Sequence, residues 1–278
     1  MGTKGSIRES AVAGMFYPLD RSVLEREVEA LLKRVQAKTI KGELCGLISP
    51  HAGYVYSGFT AANGYKLLEG KSITTVVIIA PSHREYFRGV SVFSGYAYRT
   101  PLGILEVDEE MRSELLDEGG VITASLAGHR DEHAVEVQLP FLQKVLRDFK
   151  ILPIVMGDQR KEFCVLLGEK LAGVLKRKSA LIIASSDLSH YYPYDIACRL
   201  DQIVIDDVRD FDEEKLLKDL ETQRAEACGG GPVAAMLIAA KKLGADNVET
   251  LHYCNSGDVT GDKDGVVGYL SAAVLRRN

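Results

Sequence analysis

Hydrophobic positions along the chain follow two patterns, and the alternation between them predicts the fold class. Four short runs are almost wholly apolar: "LCGLISP" (44–50), "TTVVIIAPS" (74–82), "FKILPIVMG" (149–157) and "SALIIASSD" (179–187). Each is rich in Ile, Val and Leu and ends in Gly, Pro, Ser or Asp, the pattern of strands covered on both faces. Between them, apolar residues recur at helical spacing. "DRSVLEREVEALLKRVQA" (20–37) puts Val23, Leu24, Val28, Leu31 and Leu32 on one face, and segments 108–118 and 162–177 behave similarly. Strands alternating with helices over this length predict an α/β fold. We expect a three-layer sandwich with a central, mostly parallel buried sheet and helices on both faces.

Two segments break the rhythm. Residues 88–108 alternate polar and apolar with Gly and Pro at turns, which predicts a hairpin or extra strands at one side of the sheet. Residues 248–277 predict two strands around an acidic, Gly-rich loop, the final run fitting a strand or a short helix equally well. No repeat, low-complexity tract or linker interrupts residues 1–278, so a single domain is expected.

Composition narrows the function classes. With 46% hydrophobic and 26% charged residues, the chain has ordinary soluble globular character. Its formal net charge of −5, with no basic stripe, argues against a nucleic-acid partner. The cysteines number five, an odd count, with no CxxC, which predicts free thiols and a cytoplasmic setting. No apolar run approaches the roughly 18 residues of a spanning helix, and no signal-peptide core is visible, so no membrane partner is expected. Gly2 and Ser6 fit a myristoylation pattern, but no polybasic patch or neighbouring cysteine supplies the second anchor that stable attachment requires.

Candidate chemistry lies where strands end. His51, His83 and His190 each sit just beyond the C-terminal end of a predicted buried strand, where open α/β sheets bind ligands. Parallel strands would bring these imidazoles, the commonest protein metal ligands near neutral pH, to one edge. Cys228 precedes three glycines and Pro232, at the predicted start of a helix running to about Leu243. A thiol there feels the positive end of the dipole, and glycines would let backbone approach a ligand closely. Asp187 and His190, three apart, would share one helical turn, with the carboxylate orienting an imidazole base. Glu132, His133 and Glu136 lie in "RDEHAVEVQLPFLQKVL" (130–146), where His133 fits a pocket wall and Pro140 a kink or a new helix start. Asp262, Asp264 and Gly265 have calcium-loop spacing, but Thr260 holds the first ligand position and Ser271 the last, so the segment reads as an acidic turn. No Gly-rich phosphate loop is present, so no nucleotide cofactor is expected.

At these residues the chain resembles the Memo family, named for mediator of ErbB-driven cell motility, and within it the microbial branch. The resemblance rests on "AVAGMFYP", "SPHAGYVYSG", "APSH", "EHAVEVQLPFL", "ILPIVMGDQ", "SSDLSHY" and "NSGDVTGDKDGVVGY", in that order from about Arg8 to the last strand. That family is similar to the class III extradiol dioxygenases, α/β enzymes that hold iron(II) with two histidines and a glutamate. The resemblance implies that His51 and His83 are metal ligands and that Cys228 stands in the glutamate's place. It implies His190 as an acid/base group accompanied by Asp187, with His133 in the pocket wall as a further catalytic candidate. Thiolate is softer than carboxylate and suits iron or copper, with zinc also compatible.

Three readings follow. The first is a metal-dependent oxidoreductase acting on a small organic molecule. The second is a non-enzymatic module binding a peptide or other ligand in the same cleft, with Tyr54, Tyr56, Tyr191 and Tyr192 as an aromatic rim; animal Memo proteins are linked to receptor signalling. The third is a metal-free enzyme with Cys228 as nucleophile. The resemblance also implies a radical-SAM protein and another small protein as partners of microbial members.

Overall fold

The computed structural model describes residues 6–36, 38–176 and 178–277. The Gly2 position of the myristoylation pattern lies outside them. In chain order the strands are β1 (Ile7–Arg8), β2 (Glu43–Ser49), β3 (Thr75–Pro81), β4 (Val90–Phe93), β5 (Ala97–Thr100), β6 (Gly103–Glu106), β7 (Ile122–Ser125), β8 (Lys150–Met156), β9 (Ala180–Ser185), β10 (Asp187–Tyr192), β11 (Asn247–Asn255) and β12 (Val266–Arg276). The helices are α1 (Arg21–Arg34), α2 (Tyr54–Tyr65), α3 (Glu109–Leu115), α4 (Leu139–Val145), α5 (Lys161–Leu175), α6 (Tyr194–Arg209), α7 (Glu213–Glu221), α8 (Gly230–Lys242) and α9 (Ser256–Thr260).

The four predicted apolar runs are β2, β9, β3 and β8, which lie side by side in that order, all parallel. They form the middle of a nine-stranded sheet. Antiparallel β12 joins one side and carries both β10 and β11, while β4 and β7 extend the other side, β4 running antiparallel to β8. Strand alternation divides the core. Val77, Ile79 and Ile182 face a cluster with α5 and α8, whereas Val76, Ile78 and Ile183 face one with α1, α2 and α4. A one-residue slip of β3 would exchange these faces. The small sheet β1–β5–β6 sits on the second side.

Several local expectations change. Val23 is 42% exposed, while Leu24, Val28, Leu31 and Leu32 bury the α1 stripe. The 88–108 segment divides, with β4 entering the main sheet and β5–β6 forming a hairpin in the small one. Pro140 sits in the first turn of α4, so it starts a helix after a short 3-10 turn at Glu136–Gln138. Pro232 is the third residue of α8, not its first. The final run is strand β12, because pairing with both β2 and β11 leaves no room for a helix. Asp187 and His190 lie on strand β10 rather than on a helical turn, so three-residue spacing does not align them.

Candidate metal centre

His51 follows β2 and His83 follows β3, each two residues past its strand, and β9 lies between those strands. Parallel order therefore delivers both histidines to one sheet edge, beside the Ser185–Asp187 junction of β9 and β10. The turn before α8 brings Cys228 there. One nitrogen each of His51 and His83 and the Cys228 Sγ lie within 4.8 Å of one another, with Cys228 Sγ 3.2 Å from His51 Nε2.

Hydrogen bonding fixes which nitrogen of each imidazole is bare. The Gln138 amide donates to the Pro50 carbonyl (3.0 Å) and to Ser185 Oγ (2.9 Å), and Ser185 Oγ donates to the Ala134 carbonyl (2.7 Å). With its one proton committed, Ser185 Oγ accepts from His51 Nδ1 at 2.8 Å, so His51 carries its proton on Nδ1 and bares Nε2 toward Cys228. His83 Nδ1 donates to Glu132 Oε1 at 2.9 Å, which bares its Nε2 in the same way. Glu132 is saturated with donors: the backbone N–H of His83 meets Oε2 (2.6 Å), and those of His133 (2.9 Å) and Ala134 (3.0 Å) meet Oε1. Burial alone would push the Glu132 carboxyl up, but the His83 bonds and the charges of His83 and His133 outweigh it and hold the group at about 2. Burial, followed by the neighbouring His83, holds the His51 imidazole well below its usual range, keeping it neutral.

Asp187 serves the same edge. Its Oδ1 accepts the His51 backbone N–H at 2.8 Å, and its own N–H donates to Cys228 Sγ at 3.2 Å. Burial raises the Asp187 carboxyl despite the His51 bond. The Cys228 thiol is pushed up by burial and then by the Asp187 carboxylate, against the lowering that a helix N-terminus alone would give. The adjoining glycines answer to protein neighbours rather than to a ligand. A Cβ on Gly229 would lie 2.2 Å from the Ser185 carbonyl oxygen, on Gly230 2.2 Å from Leu220, and on Gly231 2.7 Å from Gln159. Gly229→Ala is expected to displace Cys228 from His51 and cost about 2–3 kcal/mol, as overpacking against backbone does; urea unfolding measures it, and wild-type stability would refute it.

His133 stacks on His83 (ring centroids 4.7 Å) and meets His51 edge-on at 5.3 Å. Burial, then His51, lowers its imidazole to about 4. Its Nδ1 lies 3.2 Å from Glu132 Oε1 but outside hydrogen-bond geometry. His190 pairs with Glu226, not Asp187: its N–H donates to Glu226 Oε1 (3.1 Å), Nδ1 stands 3.6 Å from that oxygen, and Tyr192 donates to Oε2. Of the other histidines, His129 is fully buried between Tyr98 and the Ser91 carbonyl, and His252 meets Thr60. Of the expected rim, Tyr54 is buried and donates to the Val137 carbonyl, while Tyr56 and Tyr191 are exposed. Tyr191, beside His190, holds a left-handed backbone (φ 63°), unfavourable for an aromatic residue. Glu132 was visible beside His133, but its attachment to His83 was not; Glu226, two residues before Cys228, gave no signal.

Iron, copper and zinc bind imidazole nitrogen and thiolate at about 2.0–2.3 Å, so three ligands on one ion stand about 3–3.7 Å apart. One nitrogen of each histidine and a thiol, already within 4.8 Å, fit such an ion after small side-chain shifts.

The family model described as Memo-like protein matches residues 8–273. The chain belongs to the Memo family. A MEMO1 family protein of Methanosarcina mazei is 45% identical, with 96% of this chain and 99% of that protein covered. MEMO1 family protein MJ0403 of Methanocaldococcus jannaschii is 42% identical over 96% and 99%, and one from Nitrosopumilus maritimus is 38% identical over 95% and 98%. Among solved structures, uncharacterized protein JW3007 from Escherichia coli K12 matches with a TM-score of 0.55 at 14% identity, covering 84% of this Memo chain and all of that one. That likeness shows the fold, an α/β sheet flanked by helices. Among the described residues, no helix is long and apolar enough to cross a membrane.

Proposed function

We propose that this Memo protein binds one transition-metal ion through His51 Nε2, His83 Nε2 and Cys228 Sγ, and uses it in oxidation–reduction chemistry on a small organic molecule. The observation that carries the reading is the forced tautomer of each histidine: both Nδ1 protons are committed, which leaves two bare Nε2 atoms beside a thiol. The donor set suits iron(II) or copper and accommodates zinc. When bound, the ion supplies Lewis acidity and, for iron or copper, an electron-transfer centre. The chain's own residues do the rest. Glu132 and Ser185 fix the two imidazoles, and the Asp187 N–H stabilises the Cys228 thiolate. His83, His133 and His190, each with a partly exposed side chain, line the open side. There His190 receives or returns a proton at its ring, with Glu226 positioning it and Asp187 adding negative charge behind.

The test is anaerobic purification without an affinity tag, reconstitution with iron(II) or copper(I), and elemental analysis. Near-stoichiometric metal, followed by oxygen uptake with a reducing organic substrate, supports the reading. Failure to retain any transition metal sinks it. Exposed Tyr56 and Tyr191 favour a second reading, a ligand- or peptide-binding cleft; there His51→Ala would weaken binding with no turnover to lose. The raised Cys228 thiol works against metal-free nucleophilic catalysis.

A further inference from the structure

A pair of acids outside the metal centre has no place in that chemistry. Asp207 on α6 and Asp219 on α7 are 0% and 1% exposed. Each has one oxygen in an ion pair: Lys215 Nζ meets Asp207 Oδ1 at 2.5 Å, and Arg224 Nη1 meets Asp219 Oδ1 at 2.9 Å. Each also has its second oxygen, Oδ2, buried with no hydrogen-bond partner. The two carboxyls are neighbours across the α6–α7 hairpin, each acting on the same Lys215 and Asp219 acting on Asp207. Two ionised carboxylates cannot hydrogen-bond to one another, since both only accept, and two buried acceptors in contact repel. One proton between them satisfies both orphaned oxygens.

Among the described residues, the charged neighbours are paired elsewhere. On the hairpin, Lys215 and Arg224 are committed to the outer oxygens, and the Asp212 side chain is spent on the Lys215 N–H at the start of α7. Asp210 acts on Lys215 and adds negative charge. Of the elements packed on the hairpin, α8 and β10 line the space beside Val208 and Leu216 with Val233 and Leu188, while Lys241 of α8 and Lys161 of α5 are paired with Glu213 and Glu214 of α7. The hairpin also reaches the metal centre, because Leu220, next to Asp219, fills the space where Gly230 lacks a side chain, two residues past Cys228.

We propose that Asp207 and Asp219 share one proton and so latch the α6–α7 hairpin against the turn that carries Cys228, a latch that raising the pH releases. The sign follows from linkage. Burial raises the Asp207 carboxyl from its ordinary value, Lys215 works against that rise, and the facing Asp219 adds to it. Asp207 therefore keeps a proton more readily than an unfolded aspartate, which titrates near 3.9. Stability from this pair is full below that value and is lost as pH rises through the native-state value.

The experiment is thermal and urea unfolding from pH 5 to pH 9 of the full chain, without added metal, for wild type, Asp219→Asn and Asp207→Asn. Either amide supplies an N–H donor to the facing carboxylate without a titrating proton. The stability difference between wild type and each variant is expected to move against wild type as pH rises, with a slope of up to about one proton, because the buried histidines and thiols titrate alike in all three proteins, and both variants are expected to be the more stable at pH 9. Amide exchange at Gly229–Gly231 is expected to rise with pH beyond its intrinsic dependence in wild type only. As a measurement needing no variant, carbon-13 aspartate spectra of wild type should show a carboxyl titrating above the ordinary aspartate range. An unchanged slope in both variants, no such carboxyl, or stabilisation by calcium that the variants abolish would each overturn the proposal, the last by making the pair a cation site.

Discussion

Cys228→Ser is expected to weaken iron or copper binding by more than about 100-fold while leaving the fold intact. Losing an outer partner of a ligand already costs about 10–100-fold, and here the proposed ligand itself is replaced by a poor one. Serine is close in size, and its oxygen still accepts the Asp187 N–H now given to sulfur. His51→Ala should match it, because its Nε2 stands 3.2 Å from that sulfur. Burial and the Asp187 carboxylate keep the metal-free thiol protonated, so binding must displace that proton. Affinity is therefore expected to rise about tenfold per pH unit near neutrality, and to fall on acidification. Anaerobic titration with elemental analysis, together with the visible absorption of a metal–thiolate bond, reads all three effects. Full metal retention by both variants would place the ion elsewhere.

The second large effect lies in Glu132, which stands behind His83 rather than among the three proposed ligands. It is 2% exposed and accepts four N–H groups, three of them from backbone. Glu132→Ala leaves those donors buried without a partner. At about 1–3 kcal/mol for each orphaned group, partly relieved by water, the loss is expected to reach about 3–5 kcal/mol. It also frees the His83 ring, so metal affinity should fall about 10–100-fold. The pH dependence has a definite sign. A carboxyl held at about 2 contributes stability that is present above its ordinary value of 4.5 and is lost as pH falls through about 2. Glu132→Gln should remove that acid-dependent loss while keeping much of the packing. Urea unfolding at neutral and acidic pH tests this, and a variant as stable as wild type at neutral pH would show that the four bonds contribute little.

His51, His83 and Cys228 were legible because chemistry-bearing side chains at strand ends and before a glycine run stand out against an apolar background, and because the family motifs carry them. The role of Asp187 was not, since it was paired with His190 on an assumed helical turn. The chain is extended there, and Asp187 instead meets the His51 N–H while His190 meets Glu226. The glycines after Cys228 suggest close backbone approach to a ligand, whereas the groups that approach them are Ser185, Leu220 and Gln159.

The sequence by itself determined the layered α/β class and the four central strands, because periodicity and apolar runs record which faces are covered. It also marked His51, His83 and Cys228, which the fold brings within reach of one another, because residue type limits donor chemistry. Only the tertiary structure decided the order β2–β9–β3–β8, which depends on packing between segments far apart in the chain. That order brings Ser185 under His51, and folding of the 130–136 loop brings Glu132 under His83. Tautomer, charge state and ligand geometry are properties of such contacts between distant segments, and no local pattern encodes them.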